Sequence, residues 1–288
     1  MPPVEVLEVW AQGPAALGFA AVLGLIFGSF ANVCIYRLPP SEAHPNGQSI
    51  ATPASRCGAC GTPIRWFDNL PVVSYLLLRG KCRACGAAYA PRYLFVEVAT
   101  GMLFAGAYVL CVTSMYFEEP LPVRLGRFAI YSMFSFTLVV IAFIDLDHKL
   151  ILNKVTYVAI PLFYGAGLAL PERHWSDGLI GAAVGYGVVR AISDGYYFLT
   201  KREGLGYGDG KLLAVVGALF GWQAVVFTLF AGSLFGSVIM VTVLVVQRRK
   251  NIRHVELPFG PFLVTGAIGY MFAETWVKVG FSLLYPLP

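Results

Sequence analysis

The feature that most constrains this chain is a series of apolar runs, each long enough to cross a bilayer. The first extends from Val9 to Tyr36 without a charged residue, and Arg37 ends it. A membrane-spanning helix needs about 20 such residues. Charged residues make up 13% of the 288 residues and hydrophobic residues 57%, which is too little polar surface for a soluble protein. The composition excludes a cytosolic enzyme, a disordered chain and a secreted disulfide scaffold, and it predicts an all-α polytopic membrane protein.

Eight apolar runs predict about eight transmembrane helices. After the first, they cover about 93–117, 127–145, 155–170, 178–199, 211–221, 223–246 and 260–284. The sixth is short and meets the seventh at Gly221-Trp222-Gln223, so these two are easily counted as one. The predicted domains are a first transmembrane helix at 13–36, a cytoplasmic loop domain at 37–92 and a seven-helix membrane domain at 93–284.

Positive charges orient these helices, because Lys and Arg near span ends remain in the cytoplasm. Of the 21 Lys and Arg residues, 16 fall in alternate loops that this rule makes cytoplasmic: Arg37, Arg56, Arg65, Arg79, Lys81, Arg83, Arg92, Lys149, Lys154, Lys201, Arg202, Lys211, Arg248, Arg249, Lys250 and Arg253. Both termini then lie outside, as eight spans require. The net charge of +5 is therefore a topology signal. No basic stripe with interleaved aromatic residues is present in the sequence, so we expect no nucleic-acid partner.

Two CxxC pairs in the first cytoplasmic loop predict a metal site. The four thiols are Cys57, Cys60, Cys82 and Cys85, with 21 residues between the pairs and a Gly directly after each pair. Four soft ligands in two close pairs suit a structural, tetrahedral Zn²⁺ with no open position. The alternative is two disulfides, which a reducing cytoplasm disfavours. Cys34 and Cys111 lie in predicted spans, where we expect packed core thiols.

Three carboxylates lie where predicted spans reach the cytoplasmic face, although acidic groups are costly in apolar surroundings. Asp145 and Asp147 end the third span, and Asp209 begins the sixth within Gly206-Tyr-Gly208-Asp209. If Asp145 and Asp209 meet across a helix interface, they should share one proton. One carboxylate then acts as a base towards water and the other as an acid. The alternative is that all three are solvated helix ends or caps.

Several ordered segments resemble the type IV prepilin peptidase family, whose members are bifunctional membrane enzymes of the GxGD aspartyl-protease type. The resembling segments are 28–39, 55–57, 63–66, 69–71, 79–82, 144–148, 206–209 and 258–262. Two departures flank the aspartates: Leu150-Ile-Leu-Asn153 stands where Leu-Leu-Pro-Asp is commoner, and Gly210 replaces a usual Phe.

The resemblance implies Asp145 and Asp209 as the catalytic pair, with Asp147 as the competitor for the first role. It implies cleavage of leader peptides from type IV prepilins or type II secretion pseudopilins, at the cytoplasmic face of the bacterial inner membrane. Members with the cysteine loop also methylate the new N-terminal amine from S-adenosylmethionine. No soluble-type G-x-G-x-x-G motif is present, so the residues that bind the methyl donor are not assigned.

Three further charged residues carry separate expectations. Arg190 and Asp194 are four residues apart and predict a helical ion pair. Glu97 opens the second span, where it either complements the helix dipole or serves the nearby methyl-transfer site. Two alternative functions stay open: a prepilin-like peptidase without methylation, and a transporter that uses membrane carboxylates as proton relays, which should lie near the bilayer midplane.

Overall fold

The computed structural model describes residues 3–201, 206–246 and 258–284. Over these ranges the chain is helical, and its β pairing is limited to isolated bridges. The helices are α1 (Pro3–Gln12), α2 (Pro14–Arg37), α3 (Val73–Leu77), α4 (Arg92–Tyr108), α5 (Leu121–His148), α6 (Asn153–Leu168), α7 (Trp175–Thr200), α8 (Tyr207–Phe220), α9 (Trp222–Val246) and α10 (Gly260–Leu284). A 3₁₀ turn spans Trp66–Asn69, and a π-helical stretch, Val109–Ser114, continues α4. The predicted cytoplasmic residues Arg202, Arg248, Arg249, Lys250 and Arg253 lie outside the described ranges.

Four of the described helices are long and apolar enough to cross a membrane: α2, α4 with its π-helical continuation, α5 and α9. The first apolar run covers the end of α1 and then α2, and each later run falls largely on one helix, with the π-helical stretch continuing α4. The helices α6 and α8 have only 16 and 14 residues. The expected break between the sixth and seventh runs is confirmed, because α8 ends before Gly221, whose φ of 86° leaves the helical region. The short helix α1 is an element that the sequence analysis does not predict.

Local sequence explains where the helices α2 and α7 begin. Pro14 occupies the first turn of α2, where its missing N–H costs no hydrogen bond. At the start of α7, the ring of His174 accepts from the Ser176 N–H, and the Asp177 carboxylate accepts from the His174 N–H at 3.0 Å. This reciprocal capping satisfies amides that have no partner inside the helix.

The chain divides into two compact units, Met1–Val140 and Ile141–Pro288. In the first unit, α2 packs closely on α4 because glycines face the interface. A Cβ placed on Gly28 would lie 2.6 Å from the Glu97 Cα, and one on Gly24 would lie 2.7 Å from the Phe104 Cβ. Small residues permit such a close approach of the backbones of two membrane helices. The packing brings the C-terminal half of α2 against the first turns of α4.

In the second unit, α8 is buried among its neighbours from Leu212 to Phe220. It packs on α7 at two glycine contacts, Gly181 against Gly217 and Gly185 against Leu213. The buried Arg173 donates both to the Phe220 carbonyl and to the Glu274 carboxylate of α10, which also pairs with Lys278 at 2.8 Å. The α7–α8 packing therefore fixes the helix that carries Asp209.

The α7–α8 contact predicts that two similar substitutions on the same helix have different effects on stability. In Gly185→Ala the new Cβ would lie 2.5 Å from the Leu213 backbone, so we expect a loss of about 1–3 kcal/mol in the free energy of unfolding. In Gly187→Ala no atom of the described chain lies within 4 Å, and alanine's higher helix propensity should leave stability equal or higher. Thermal unfolding in detergent measures both, and equal midpoints for the two variants would contradict the contact.

Candidate functional site

The four cysteines lie on two turns with the same backbone hydrogen bonds. In the first turn the Cys57 N–H donates to Thr62, and the Gly61 N–H donates back to Cys57, both at 2.9 Å. In the second turn the Cys82 N–H donates to Ala87 at 2.8 Å, and the Gly86 N–H donates to Cys82 at 2.9 Å. Gly61 and Gly86 have φ values of 69° and 73°, a region that glycine adopts without a steric penalty. The glycine after each pair therefore closes a tight turn around the thiols.

These turns bring the four thiols into one cluster. Their sulfur atoms all lie within 4.8 Å of one another. Cys57 and Cys82 are buried, whereas Cys60 and Cys85 are exposed. All six cysteines of the chain are free thiols, and Cys34 and Cys111 are buried in the helices as expected for packed core residues. The two-disulfide alternative is absent from this structure, and the donor set fits a metal ion.

The electrostatics of the cluster also favour a cation. Backbone hydrogen bonds from Cys85 and Ala84 lower the pKa of the Cys82 thiol to about 6. The Cys85 thiol accepts from the Ala87 backbone, which lowers its pKa, but the neighbouring thiols and burial together raise that pKa to about 11. One thiolate therefore forms readily while its neighbour resists ionisation. A bound metal removes this conflict, because metal ligation deprotonates thiols outright.

The second cluster is formed by Asp145 and Asp209 in the second compact unit. Asp145 lies near the end of α5, and Asp209 lies in the first turn of α8. Both are buried, with 6% and 9% of their surface exposed, and their charges are close enough to interact. The Asp145 Oδ2 accepts a hydrogen bond from the Gly260 N–H at 3.0 Å. Asp147 is exposed, so the two carboxylates that come together are the buried ones.

Side chains from two neighbouring helices hold the first turn of α8. On one side the Tyr207 hydroxyl donates to Asp194 at 3.0 Å, and Arg190 pairs with the same carboxylate at 2.9 Å, which confirms the predicted ion pair. On the other side the Lys211 Nζ donates to the Asn153 Oδ1 at 2.5 Å. The sequence analysis does not predict the roles of Tyr207 and Lys211. The sequence signal that could have identified them is their position within two residues of Asp209.

Glu97 corrects one sequence expectation. It lies beyond the first turn of α4, which contains no acidic residue, so the helix-dipole interpretation is wrong. Its Oε2 accepts from the Val72 N–H at 2.8 Å, and the Ser29 hydroxyl is a second hydrogen-bond partner. Glu97 therefore faces the end of α2 and the cysteine-containing loop.

Two family models match successive parts of the chain. The Bacterial Peptidase A24 N-terminal domain matches residues 22–111, and the Type IV leader peptidase family matches residues 132–241. The chain belongs to the type IV leader peptidase family. The first match contains the four cysteines and Glu97, and the second contains Asp145 and Asp209. The resemblance drawn from the ordered sequence segments is therefore confirmed.

Curated relatives agree over nearly the whole chain. A prepilin leader peptidase/N-methyltransferase of Dichelobacter nodosus is 33% identical, covering 91% of this chain and 93% of the relative. A protein of the same name from Stutzerimonas stutzeri is 33% identical, covering 95% and 96%. The Pseudomonas aeruginosa protein of that name is 32% identical, covering 94% and 96%. No solved structure matches the chain.

The cysteine cluster predicts a stoichiometric metal ion in the purified protein. Cys60→Ser removes one of four ligands and should reduce bound metal by at least about tenfold, because thiolates contribute most of the affinity of such sites. Inductively coupled plasma mass spectrometry of the purified protein measures the metal-to-protein ratio. Cys111→Ala is the matched control, since it removes a buried thiol outside the cluster and should leave the ratio unchanged. A wild-type ratio of zero would contradict the metal site.

Proposed function

We propose that this chain is a membrane aspartyl endopeptidase that removes leader peptides from type IV prepilins or type II secretion pseudopilins and N-methylates the new terminus. The relatives named as prepilin leader peptidase/N-methyltransferase align with more than nine-tenths of the chain. The observation that carries the peptidase activity is the meeting of two buried carboxylates, Asp145 and Asp209. In the described ranges neither carboxylate forms an ion pair; Asp145 has a backbone hydrogen bond with Gly260 and Asp209 has one with Gly206. The lack of a charged partner supports a chemical role for both.

The proposed chemistry uses the two carboxylates as a pair that holds one proton. Two adjacent carboxylates cannot both ionise comfortably, as in the aspartic proteases. The ionised carboxylate takes a proton from water, whose oxygen attacks the scissile carbonyl carbon. The protonated carboxylate supplies a proton to the carbonyl oxygen, and the C–N bond breaks as the leaving amine is protonated. The Gly260 N–H keeps one oxygen of Asp145 in a fixed orientation.

The proposed topology places this reaction at the cytoplasmic face of the bacterial inner membrane. Four of the helices that the structure describes are apolar and long enough to span a bilayer, and we propose that the remaining runs complete about eight crossings. The proposed domains stay a first transmembrane helix at 13–36, a cytoplasmic four-cysteine domain at 37–92 and a membrane peptidase domain at 93–284. A basic prepilin leader would then lie among the cytoplasmic loops while its apolar helix packs beside the spans.

Two small partners complete the proposal. We assign Zn²⁺ to the four cysteines, because four thiolates in a closed tetrahedral set suit a structural zinc. The ion would supply much of the folding energy of a loop that has little core of its own. S-adenosylmethionine is the methyl donor that the N-methyltransferase activity requires.

Neutralising either buried carboxylate should abolish cleavage. Asp145→Asn and Asp209→Asn keep the side-chain shape but remove one of the two carboxylates that share the proton. We therefore expect each variant to lose at least about a hundredfold in cleavage rate. Intact-mass spectrometry of a synthetic prepilin incubated with the purified variants measures leader loss. Asp147→Asn, two residues along the same helix and exposed, should cleave as the wild type does. Retained cleavage in Asp145→Asn or Asp209→Asn would remove that residue from the mechanism.

The Asp145–Gly260 contact gives a second test that leaves both acids in place. In Gly260→Ala the new Cβ would lie 2.5 Å from the Asp145 Oδ2, which displaces the carboxylate or the start of α10. We expect a loss of cleavage rate of at least about tenfold, because displacing a catalytic group by about 1 Å lowers a rate by at least this factor. Gly269→Ala is the control on the same helix, because its new Cβ would meet only the Phe227 ring, at an ordinary contact distance of 3.9 Å, among the described residues. Equal rates for the two variants would exclude a positioning role for Gly260.

A further inference from the structure

A large cavity in the first compact unit lies beside the cysteine cluster. It has a volume of about 730 Å³, within the roughly 300–1,000 Å³ range of sites for small molecules. Its wall is formed by the end of α2, the start of α4 and the loop between these helices. Cys57 is itself part of the wall, so the metal-bound turn would form one side of the cavity.

The lining of the cavity is aromatic and of mixed charge. Four tyrosines contribute to it: Tyr36, Tyr75, Tyr89 and Tyr93. Aromatic rings of this kind stack on the flat faces of nucleobases. Asp68 and Glu97 contribute negative charge, and Arg37, Arg56 and Lys81 contribute positive charge. A ligand that carries a base together with charges of both signs suits this wall.

The charged groups of the wall differ in the hydrogen-bond and ion-pair partners that they already have within the described part of the protein. The Arg37 guanidinium donates to the carbonyls of Ser49 and Pro53 at 3.0 and 2.7 Å. Asp68 is held by Arg83, whose hydrogen bonds lower the pKa of that carboxyl. Glu97 forms no ion pair among the described residues. Its negative charge is therefore the one left for a cationic ligand.

A strained backbone holds Glu97 in place. Val72, which donates to the Glu97 carboxylate, has a φ of 61° and a ψ of −51°. A β-branched residue rarely adopts a positive φ, and such strain persists where the surrounding structure requires it. On the opposite side, Gly28 lets α2 approach the Glu97 Cα. Asn32 is buried one turn further along α2, and its Oδ1 has no hydrogen-bond partner within the described part of the chain.

We propose that this cavity binds the methyl donor, with the adenine among the tyrosines and the positively charged sulfonium beside the Glu97 carboxylate. This proposal deepens the N-methyltransferase activity proposed above and rests on it. In the transfer, the methyl group leaves the sulfur and bonds to the substrate's uncharged amine nitrogen. The sulfur becomes a neutral thioether, and the methylated amine releases one proton to solvent. Glu97 is therefore a binding residue that recognises positive charge on the donor.

The test compares two ligands that differ in the charge on sulfur. S-adenosylmethionine carries the sulfonium, and S-adenosylhomocysteine has a neutral thioether in its place. In Glu97→Gln the side chain can still accept from the Val72 N–H but loses its charge. We expect the affinity for S-adenosylmethionine to fall about tenfold, while the affinity for S-adenosylhomocysteine changes by less than about twofold. Equilibrium dialysis of the purified full-length protein with each radiolabelled ligand measures both. Equal losses for the two ligands, or no loss, would overturn the role of Glu97.

A second pair of variants tests the cavity itself. Val33→Phe adds bulk to the wall, so binding of both ligands should weaken by at least about tenfold. Val22→Phe on the same helix is the control, because Val22 is 53% exposed and is not part of the wall. Wild-type binding in Val33→Phe would overturn the location.

Leader cleavage and methylation are recorded for every protein, because they separate the two proposals. If the wild type methylates a prepilin while the cavity variants bind both ligands normally, only the cavity assignment fails. If the wild type cleaves but neither binds the donor nor methylates, the N-methyltransferase activity fails together with the cavity. Cleavage that persists in Glu97→Gln and Val33→Phe shows that these variants are folded.

Discussion

The cost of removing a carboxylate from water governs the placement of functional groups in this protein. A buried charge is tolerated only where hydrogen bonds or an opposite charge compensate it. Glu274 meets this requirement through Arg173 and Lys278, and it is a structural ion pair. Within the described part of the chain, the Asp145 carboxylate receives a hydrogen bond from the Gly260 N–H alone, and it lies near a second carboxylate, Asp209. An incompletely compensated pair of acids costs stability, which is the arrangement expected of groups retained for chemistry.

Glycine makes these placements possible, because helices that carry polar groups must approach more closely than larger side chains allow. Gly28 brings α2 against Glu97, and Gly181 and Gly185 bring α7 against α8. Gly260 allows a backbone amide to reach Asp145. In each case a side chain at the glycine position would occupy the space that the functional contact needs. Gly232 and Gly236 likewise let α9 approach Phe262 and Leu263 of α10.

The cysteine cluster and the neighbouring cavity share one residue, Cys57. Besides isolated β-bridges, the loop between α2 and α4 contains a 3₁₀ turn and the five-residue helix α3, so it has little regular structure to hold its shape. A metal ion on four thiolates would fix two of its turns. Since Cys57 is part of the cavity wall, a metal ion bound to it would help to set the shape of the cavity. A structural metal would thereby influence a binding site without touching the ligand.

The sequence by itself determined the helical membrane class, the approximate positions of α2 and of α4 to α10, the two CxxC turns and the candidate aspartates. These follow from local rules: hydropathy over about 20 residues, ligand spacing and glycine after each cysteine pair. Only the tertiary structure decided that Asp145 is buried beside Asp209 while Asp147 is exposed, and that Glu97 binds the Val72 N–H rather than the helix dipole. Such contacts join residues far apart in the chain. They depend on how helices pack, which hydropathy and spacing do not encode.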